Sequence, residues 1–162
     1  MAMEIGNFEG KPHSKDLVLR RTVKAPQVLV FEAFTRAEHL AQWWAPKPFT
    51  VSKCEVDLRP GGFWRYTFRA PEGWEHDCVT VYREVDPPRH LVMEASVSDP
   101  KGNPFFVIRQ TLDLEPRGDE TGLVLSVKVL QANSGCEPML EGMEQGTNMT
   151  LDNLLEYLAK IA

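Results

Sequence analysis

The sequence contains no apolar run that approaches the ~20 residues needed by a membrane-spanning helix. Residues 1–15 are polar and lack the apolar stretch of a secretory signal peptide. These absences predict a cytoplasmic protein without a membrane span. Because residues 1–15 contain Gly6, Gly10 and Pro12 but few apolar anchors, we expect them to form a flexible tail. Residues 16–162 have the length of one domain, and we expect a single domain there.

Cysteine and basic charge are both scarce. The three cysteines, Cys54, Cys78 and Cys136, are odd in number and widely spaced, which predicts free thiols in a reducing compartment. The chain has 18 basic and 23 acidic side chains and a net charge of -5. A mildly acidic surface argues against nucleic acid and anionic membranes as partners, since both select a basic footprint.

Motifs for cofactors and metals are also missing. No glycine-rich phosphate loop precedes a helix, so we predict no cofactor. In the segment 74–78, His76 and Cys78 share one face of a predicted strand, whereas Glu75 and Asp77 share the other. Two ligands on one face are fewer than a structural or a catalytic zinc site requires, so we predict no metal.

What the sequence does contain is a change of hydrophobic period along the chain. Residues 17–24 alternate as a strand does, and residues 28–34 have near-helical spacing. A T-x-x-E capping box at residues 35–38 predicts a second short helix from Arg36. Alternation over residues 49–129 then predicts six strands, and their short hairpin links make the sheet antiparallel. Turns are expected at residues 59–62, 70–73, 86–88, 99–102 and 116–119.

The period becomes helical again over residues 137–161. Residues that recur there at three- and four-residue steps are Leu140, Met143, Thr147, Leu151, Leu154 and Leu158. Gly142 and Gly146 weaken this helix locally. A long helix with one apolar stripe must bury that stripe, and the sheet offers the only large apolar face. We therefore predict an α+β fold in which a curved antiparallel sheet of six or seven strands surrounds a long C-terminal helix. Such an arrangement tends to leave a pocket between the two.

Five stretches of the chain carry a family resemblance. They are V-K-A-P-Q-V-L-V-F-E-A-F-T (23–35), L-A-Q-W-W-A-P (40–46), V-D-L-R-P-G-G-F-W-R-Y (56–66), Y-R-E-V-D-P-P-R-H-L-V (82–92) and L-D-N-L-L-E-Y-L (151–158). In this order they resemble the START-like (Bet v 1-like, SRPBCC) helix-grip superfamily. The most similar branch is named for homologues of the activator of the heat-shock-protein-90 ATPase. The resemblance spans Leu17 to Ala162 and implies the helix-grip fold; it also allows a homodimer and a chaperone partner.

One position departs from the family pattern. The family commonly has Gly-Trp near the start of the last helical turns, where this chain has Gly146 and Thr147. The resemblance therefore implies a pocket that is enlarged or reshaped by the loss of an indole.

Aromatic side chains are the first candidates for the pocket wall. Trp44 has the helical phase of a core residue, whereas Trp43 is expected at the pocket mouth. Trp64, Tyr66 and Phe68 form an inward stripe on one strand. This stripe either fills the core against the helix or forms a platform for a ligand.

Gln110 is the best single candidate for a polar ligand contact. It lies between Ile108 and Leu112 on an otherwise apolar face, where a buried amide needs a hydrogen-bond partner. Another core polar group, a water or a ligand would satisfy it. The predicted cavity residues are Trp43, Trp64, Tyr66, Phe68, Phe106, Gln110, Met143 and Thr147.

Three functions are compatible with these patterns. The first is non-catalytic binding of an apolar or aromatic small molecule. The second, implied only by the name of the branch, is a co-chaperone or adaptor role. The third is a cyclase- or hydrolase-like enzyme, which requires a titratable cavity group such as His76, Tyr66, Tyr82 or Glu84. We assign no catalytic residue, and the facing of strand 74–85 stays open because both of its faces contain apolar residues.

Overall fold

The computed structural model describes residues 16–45, 48–98, 104–132 and 137–161. The elements along the chain are β1 (Leu17–Val23), α1 (Gln27–Thr35), α2 (Ala37–Trp43), β2 (Thr50–Asp57), β3 (Phe63–Arg69), β4 (Glu75–Asp86), β5 (His90–Ser98), β6 (Pro104–Arg117), β7 (Glu120–Ala132) and α3 (Glu137–Ile161). None of the described helices is long and apolar enough to cross a membrane. The tail expected at residues 1–15 and the thiol of Cys136 lie outside the described residues.

The strands form one antiparallel sheet in the order β1-β7-β6-β5-β4-β3-β2. The predicted fold class is confirmed: one sheet, two short helices after the first strand and a long C-terminal helix. Pairing registers shift once in each of the pairs β2–β3, β4–β5, β5–β6 and β6–β7. Such bulges bend strands and increase their twist, which curves the sheet towards the helix.

Turns occur where the sequence predicts them, with one position left open. Chain reversals join β2 to β3, β3 to β4, β4 to β5 and β6 to β7. Gly118 takes φ +68° in the tight link between β6 and β7, a left-handed conformation that favours glycine. The turn expected at residues 99–102 lies outside the described residues.

The predicted capping box is wrong. Thr35 is the last residue of α1, and its hydroxyl donates to the carbonyl oxygen of Phe31 (2.8 Å) instead of capping α2. Arg36 is extended (φ -97°, ψ 131°) and separates the two helices, so α2 begins at Ala37. Because the Thr35 hydroxyl bonds to a carbonyl oxygen of its own helix, it is not available to cap the next one.

The facing of β4 is resolved by its neighbours in the sheet. Cys78 and Tyr82 are buried in the main core, whereas Val81 packs against Val107 in a separate cluster. The register shift between Tyr82 and Glu84 then lets Val85 also pack against the main core. The bulge therefore explains why Val85 faces the main core although Val81 faces the other side of the sheet.

The outer face of the sheet carries a buried ion cluster. Glu94 is 4% exposed, and its carboxylate accepts from Arg83 Nε (2.8 Å) and from Arg109 Nε and Nη2 (2.9 and 2.7 Å). Arg83 on β4 thus pairs with Glu94 across the β4–β5 pair. Two guanidinium groups compensate the buried carboxylate, which would otherwise be costly to desolvate.

Candidate functional site: a cavity under the C-terminal helix

A cavity of about 390 Å³ lies between α3 and the inner face of the sheet. Its volume is in the range of sites for small molecules. The residues that line it come from β3 to β7, from α3 and from the end of α2. They are Trp44, Tyr66, Phe68, Cys78, Ala95, Phe106, Ile108, Gln110, Leu125, Gly142, Met143, Gly146, Thr147, Thr150 and Leu151.

Small residues on α3 create this space. Gly142 and Gly146 are one helical turn apart and both line the cavity. A Cβ atom added at either glycine would meet nothing within 4 Å beyond the local helix backbone. Thr147 and Thr150 donate their hydroxyl protons to the helix carbonyls of Met143 (2.7 Å) and Gly146 (3.0 Å). These four residues thus offer the cavity little side-chain volume and no free hydroxyl proton.

Aromatic rings form the opposite wall. The ring of Tyr66 lies 5.0 Å from that of Phe68 and 6.3 Å from that of Trp44, in both cases edge to face. Trp64 lies behind this wall, with ring centroids 4.5 Å from Tyr66 and 4.7 Å from Trp44. Its indole N–H donates to Cys54 Sγ (3.3 Å). Trp64 therefore supports the wall rather than lining the cavity, in contrast to the sequence prediction.

The two tryptophans at the end of α2 exchange their predicted roles. Trp43 is 2% exposed, packs edge to face on Phe34, and donates its indole N–H to the carbonyl oxygen of Ala33 (2.9 Å). The prediction that Trp43 sits at the mouth is wrong, and Trp44 lines the cavity instead. The helix ends at Trp43, and Asn153 Nδ2 donates to the carbonyl oxygen of Ala45 (2.9 Å). This contact anchors the chain that follows Trp44 to α3.

Gln110 is the polar group at the base of the cavity. It is 5% exposed and pairs across the sheet with Met93 on one side and Val127 on the other. Its Oε1 has no hydrogen-bond partner. Two other buried oxygens, Thr80 Oγ1 and Tyr82 Oη, are also without a partner. A buried acceptor without a donor is unfavourable, so a hydrogen bond from a ligand to Gln110 Oε1 would be stabilising.

The ionisable groups of the cavity wall are held in their neutral forms. Burial raises the pKa of the Cys78 thiol to about 12. Burial, and then the charge of the neighbouring Cys78 thiolate, raise the pKa of Tyr66 well above its usual range. No Asp, Glu, Lys, Arg or His is among the described residues that line the cavity. At neutral pH its described wall therefore carries no charge.

Metal ligation finds no support among the described residues, where no three His, Cys, Asp or Glu side chains come together. The backbone register places Asp77 opposite Thr67, and the Thr67 hydroxyl donates to the Asp77 carboxylate (2.8 Å). Asp77 is thus satisfied by its neighbour on β3.

The structure brings most of the predicted cavity residues together. Tyr66, Phe68, Phe106, Gln110, Met143 and Thr147 line the cavity, whereas Trp43 and Trp64 do not. Sequence reasoning missed the contribution of Gly142, Gly146 and Thr150. Their four-residue spacing is a signal for a bare helix face, but glycine within a helix was interpreted only as a local weakness.

An antiparallel sheet that holds a cavity against one long C-terminal helix defines the helix-grip class of proteins. The family model of the activator of Hsp90 ATPase homolog 1-like proteins matches residues 24–159. The chain belongs to this family, as the sequence resemblance predicts. A comparison with curated proteins finds no match.

Solved bacterial structures share the fold over nearly the whole chain. A protein from Nitrosomonas europaea is 28% identical, with a TM-score of 0.75 over 91% of this chain and 97% of that one. A protein from Rhizobium leguminosarum is 25% identical, with a TM-score of 0.77 over 90% of this chain and 94% of that one. The AHSA1 protein from Silicibacter pomeroyi is 23% identical, with a TM-score of 0.76 over 91% and 99%, and shows the fold alone.

Proposed function

We propose that this protein binds an apolar or aromatic small molecule in the cavity between α3 and the sheet, without chemistry of its own. The observation that carries the proposal is a cavity of about 390 Å³ whose described wall is uncharged and mostly apolar. Sites for small molecules combine such a wall with a few well-placed polar groups. Gln110, with its unpartnered Oε1, is such a group. The predicted contacts that line the cavity are Tyr66, Phe68, Phe106, Gln110, Met143 and Thr147.

The chemistry of the wall favours binding over catalysis. A nucleophile or general base must be deprotonated near neutral pH to act. Burial raises the pKa values of Tyr66 and Cys78, which keeps both groups protonated. The Tyr82 hydroxyl is likewise held neutral because burial raises its pKa. These three groups therefore lack the deprotonated form that a nucleophile or general base needs near neutral pH.

Membership of the family supports a ligand-binding or co-chaperone-like module. For the co-chaperone alternative, one candidate surface is a groove beside α1 and α2 in which Val28 and Leu58 are exposed. Its described residues give no indication of the chemistry of a partner, so we advance the ligand-binding function alone. The cytoplasmic location stays a prediction.

Native mass spectrometry of the protein purified from cells tests the proposal. We expect a mass excess over the chain that disappears when the same sample is denatured, because a ligand held by the fold is released on unfolding. The Gly146→Leu variant should lose this excess, since its side chain enters the cavity. Gln145→Leu, with the same change on an exposed neighbour, should keep it. No excess, together with no thermal shift across a panel of lipids, flavonoids and aromatic acids, would contradict the proposed function.

A further inference from the structure

Three features of the molecule invite a further assignment: the cavity, the Arg83–Glu94–Arg109 cluster and the groove beside Val28. The guanidinium groups of the cluster already pair with Glu94. The groove beside Val28 has no feature that specifies an occupant. The cavity carries an inference further, because the types of polar atom around it restrict the ligand that it can hold.

We infer that the cavity selects an uncharged aromatic molecule that donates one hydrogen bond to Gln110 Oε1, and that it rejects carboxylates. This inference rests on the proposed function and specifies the class of ligand. Its geometric basis is that an unpartnered buried acceptor and a wall of aromatic rings belong to the same cavity.

The first step concerns what can satisfy Gln110. Its side chain lies among Ile108, Met93 and Val127, none of which has a side-chain hydrogen-bond donor. The hydroxyl protons of Thr147 and Thr150 point into the helix, where carbonyl oxygens accept them. The two threonines of the helix wall therefore offer Gln110 Oε1 no proton, and a hydroxyl or N–H group on the ligand can satisfy it.

The second step concerns charge. A carboxylate that enters the cavity loses its hydration, and no Lys, Arg or His among the described lining residues replaces it. Its oxygens would also face the lone pairs of Gln110 and of the two threonine hydroxyls. Both effects act against an anion, whereas a neutral donor of the same size suffers neither.

The third step concerns shape. Rings from Trp44, Tyr66 and Phe68 form one wall, and Phe106 on β6 also lines the cavity. Neighbouring rings in this wall meet edge to face, which exposes ring faces and edges to a further ring. A planar aromatic ligand can extend this pattern, since offset and edge-to-face contacts are the favoured arrangements.

Three probes that share one ring system separate these effects: 1-naphthol, 1-methoxynaphthalene and 1-naphthoate. Titration calorimetry of the wild-type protein at neutral pH measures their dissociation constants. We expect 1-naphthol to bind about tenfold more tightly than 1-methoxynaphthalene, since only the naphthol can donate to Gln110. We expect 1-naphthoate to bind at least about tenfold more weakly than 1-naphthol.

Gln110→Leu supplies the matched variant. It removes the acceptor but retains the volume, so the two neutral probes should bind this variant equally, with 1-methoxynaphthalene bound no more weakly than by the wild type. Gln145→Leu, on the exposed side of α3, should keep the tenfold preference. If Gln110→Leu does not fold, Gln110→Met makes the same comparison, and the wild-type probe ratios still decide the inference.

The outcomes distinguish this inference from the proposed function. Equal binding of all three probes to the wild type would support a ligand cavity but overturn its selectivity. A preference for 1-methoxynaphthalene over 1-naphthol would also overturn the inference, since it would show that the amide of Gln110 donates rather than accepts. Failure of all three probes to bind would overturn the inference, whereas the proposed function would still be decided by the mass excess and the ligand panel.

Discussion

The two halves of α3 face the same sheet but meet it differently. In the C-terminal half, Leu151, Leu154 and Leu158 are each at most 1% exposed and fill the space against the core. In the N-terminal half, Gly142 and Gly146 lie beside this stripe and line a cavity. The side chains of α3, rather than the fold, thus determine where the helix packs closely on the sheet and where a cavity lies between them.

The open half lowers the stability of the free protein. A buried leucine contributes roughly 1.5 to 3 kcal/mol by leaving water, whereas a glycine contributes no side-chain burial. Glycine within a helix also costs about 1 kcal/mol relative to alanine. A ligand that binds only the folded state offsets such a loss through mass action. In the proposed function, the bound ligand offsets the cost of the two glycines.

The largest difference between the halves should appear on truncation of their apolar residues. Leu154→Ala should lower the free energy of unfolding by about 2 to 5 kcal/mol, since it opens a void in close packing. Met143→Ala, beside an existing cavity, should lower it by less than about 2 kcal/mol. Guanidinium denaturation measures both changes. Equal losses would show that the two halves are packed alike.

The tryptophan pair should separate stability from binding. Trp43→Phe leaves the buried carbonyl oxygen of Ala33 without its donor, and we expect a loss of about 2 kcal/mol in the free energy of unfolding. Trp44→Phe should cost less than about 1 kcal/mol but should weaken 1-naphthol binding, which Trp43→Phe leaves unchanged. Denaturation and calorimetry on both variants make this comparison. A reversal of these effects would place Trp43, not Trp44, at the cavity.

The dependence of the free energy of unfolding on alkaline pH should show whether water fills the cavity beside the N-terminal half of α3. The Cys78 thiol has a pKa raised by burial to about 12, against an unperturbed value of 9.0. The folded state therefore keeps a proton that the unfolded state loses, and the free energy of unfolding falls as pH rises between these values. Cys78→Ala should flatten this fall by up to about 1.4 kcal/mol per pH unit. Urea denaturation at several alkaline pH values tests this, and identical slopes would indicate a water-filled cavity.

The smallest expected effect is a gain in stability. Gly146→Ala should raise the free energy of unfolding by about 1 kcal/mol, because it improves helix propensity and its Cβ meets no neighbour. The control is Gly62→Ala, whose Cβ would collide with the backbone oxygen of Asp57 and should destabilise the protein. Thermal and chemical denaturation measure both variants. A loss on Gly146→Ala would mean that this helix face is already packed.

The sequence predicts the architecture well because period and turn chemistry are local. The alternation in β6 and β7 and the helical steps of Leu151, Leu154 and Leu158 identify their elements without tertiary information. Details that depend on a single hydrogen bond or a single bulge cannot be predicted in this way. The capping-box prediction was wrong because the Thr35 hydroxyl donates to the carbonyl oxygen of Phe31. The orientation of Val85 on β4 depends on a β-bulge that the sequence pattern does not predict.

The candidate site was predictable in part for the same reason. Tyr66, Phe68 and Gln110 follow from strand alternation, which fixes the face of each side chain. Trp43 and Trp44 do not, because their orientation depends on where α2 ends and on a contact from Asn153 more than a hundred residues later in the chain. The space beside Gly146 depends on how the surrounding elements pack, so only the three-dimensional structure locates it.

Binding of 1-naphthol to Gly146→Leu and Gln145→Leu, measured side by side by calorimetry, tests most directly whether the open half of α3 is a ligand site. The two variants add the same side chain at adjacent positions, one that lines the cavity and one that is exposed. We predict that Gly146→Leu weakens binding at least about tenfold while remaining as stable as the wild type, and that Gln145→Leu binds as the wild type does. Equal binding by the two variants would contradict the account, because a ligand in the cavity cannot share its space with the new side chain.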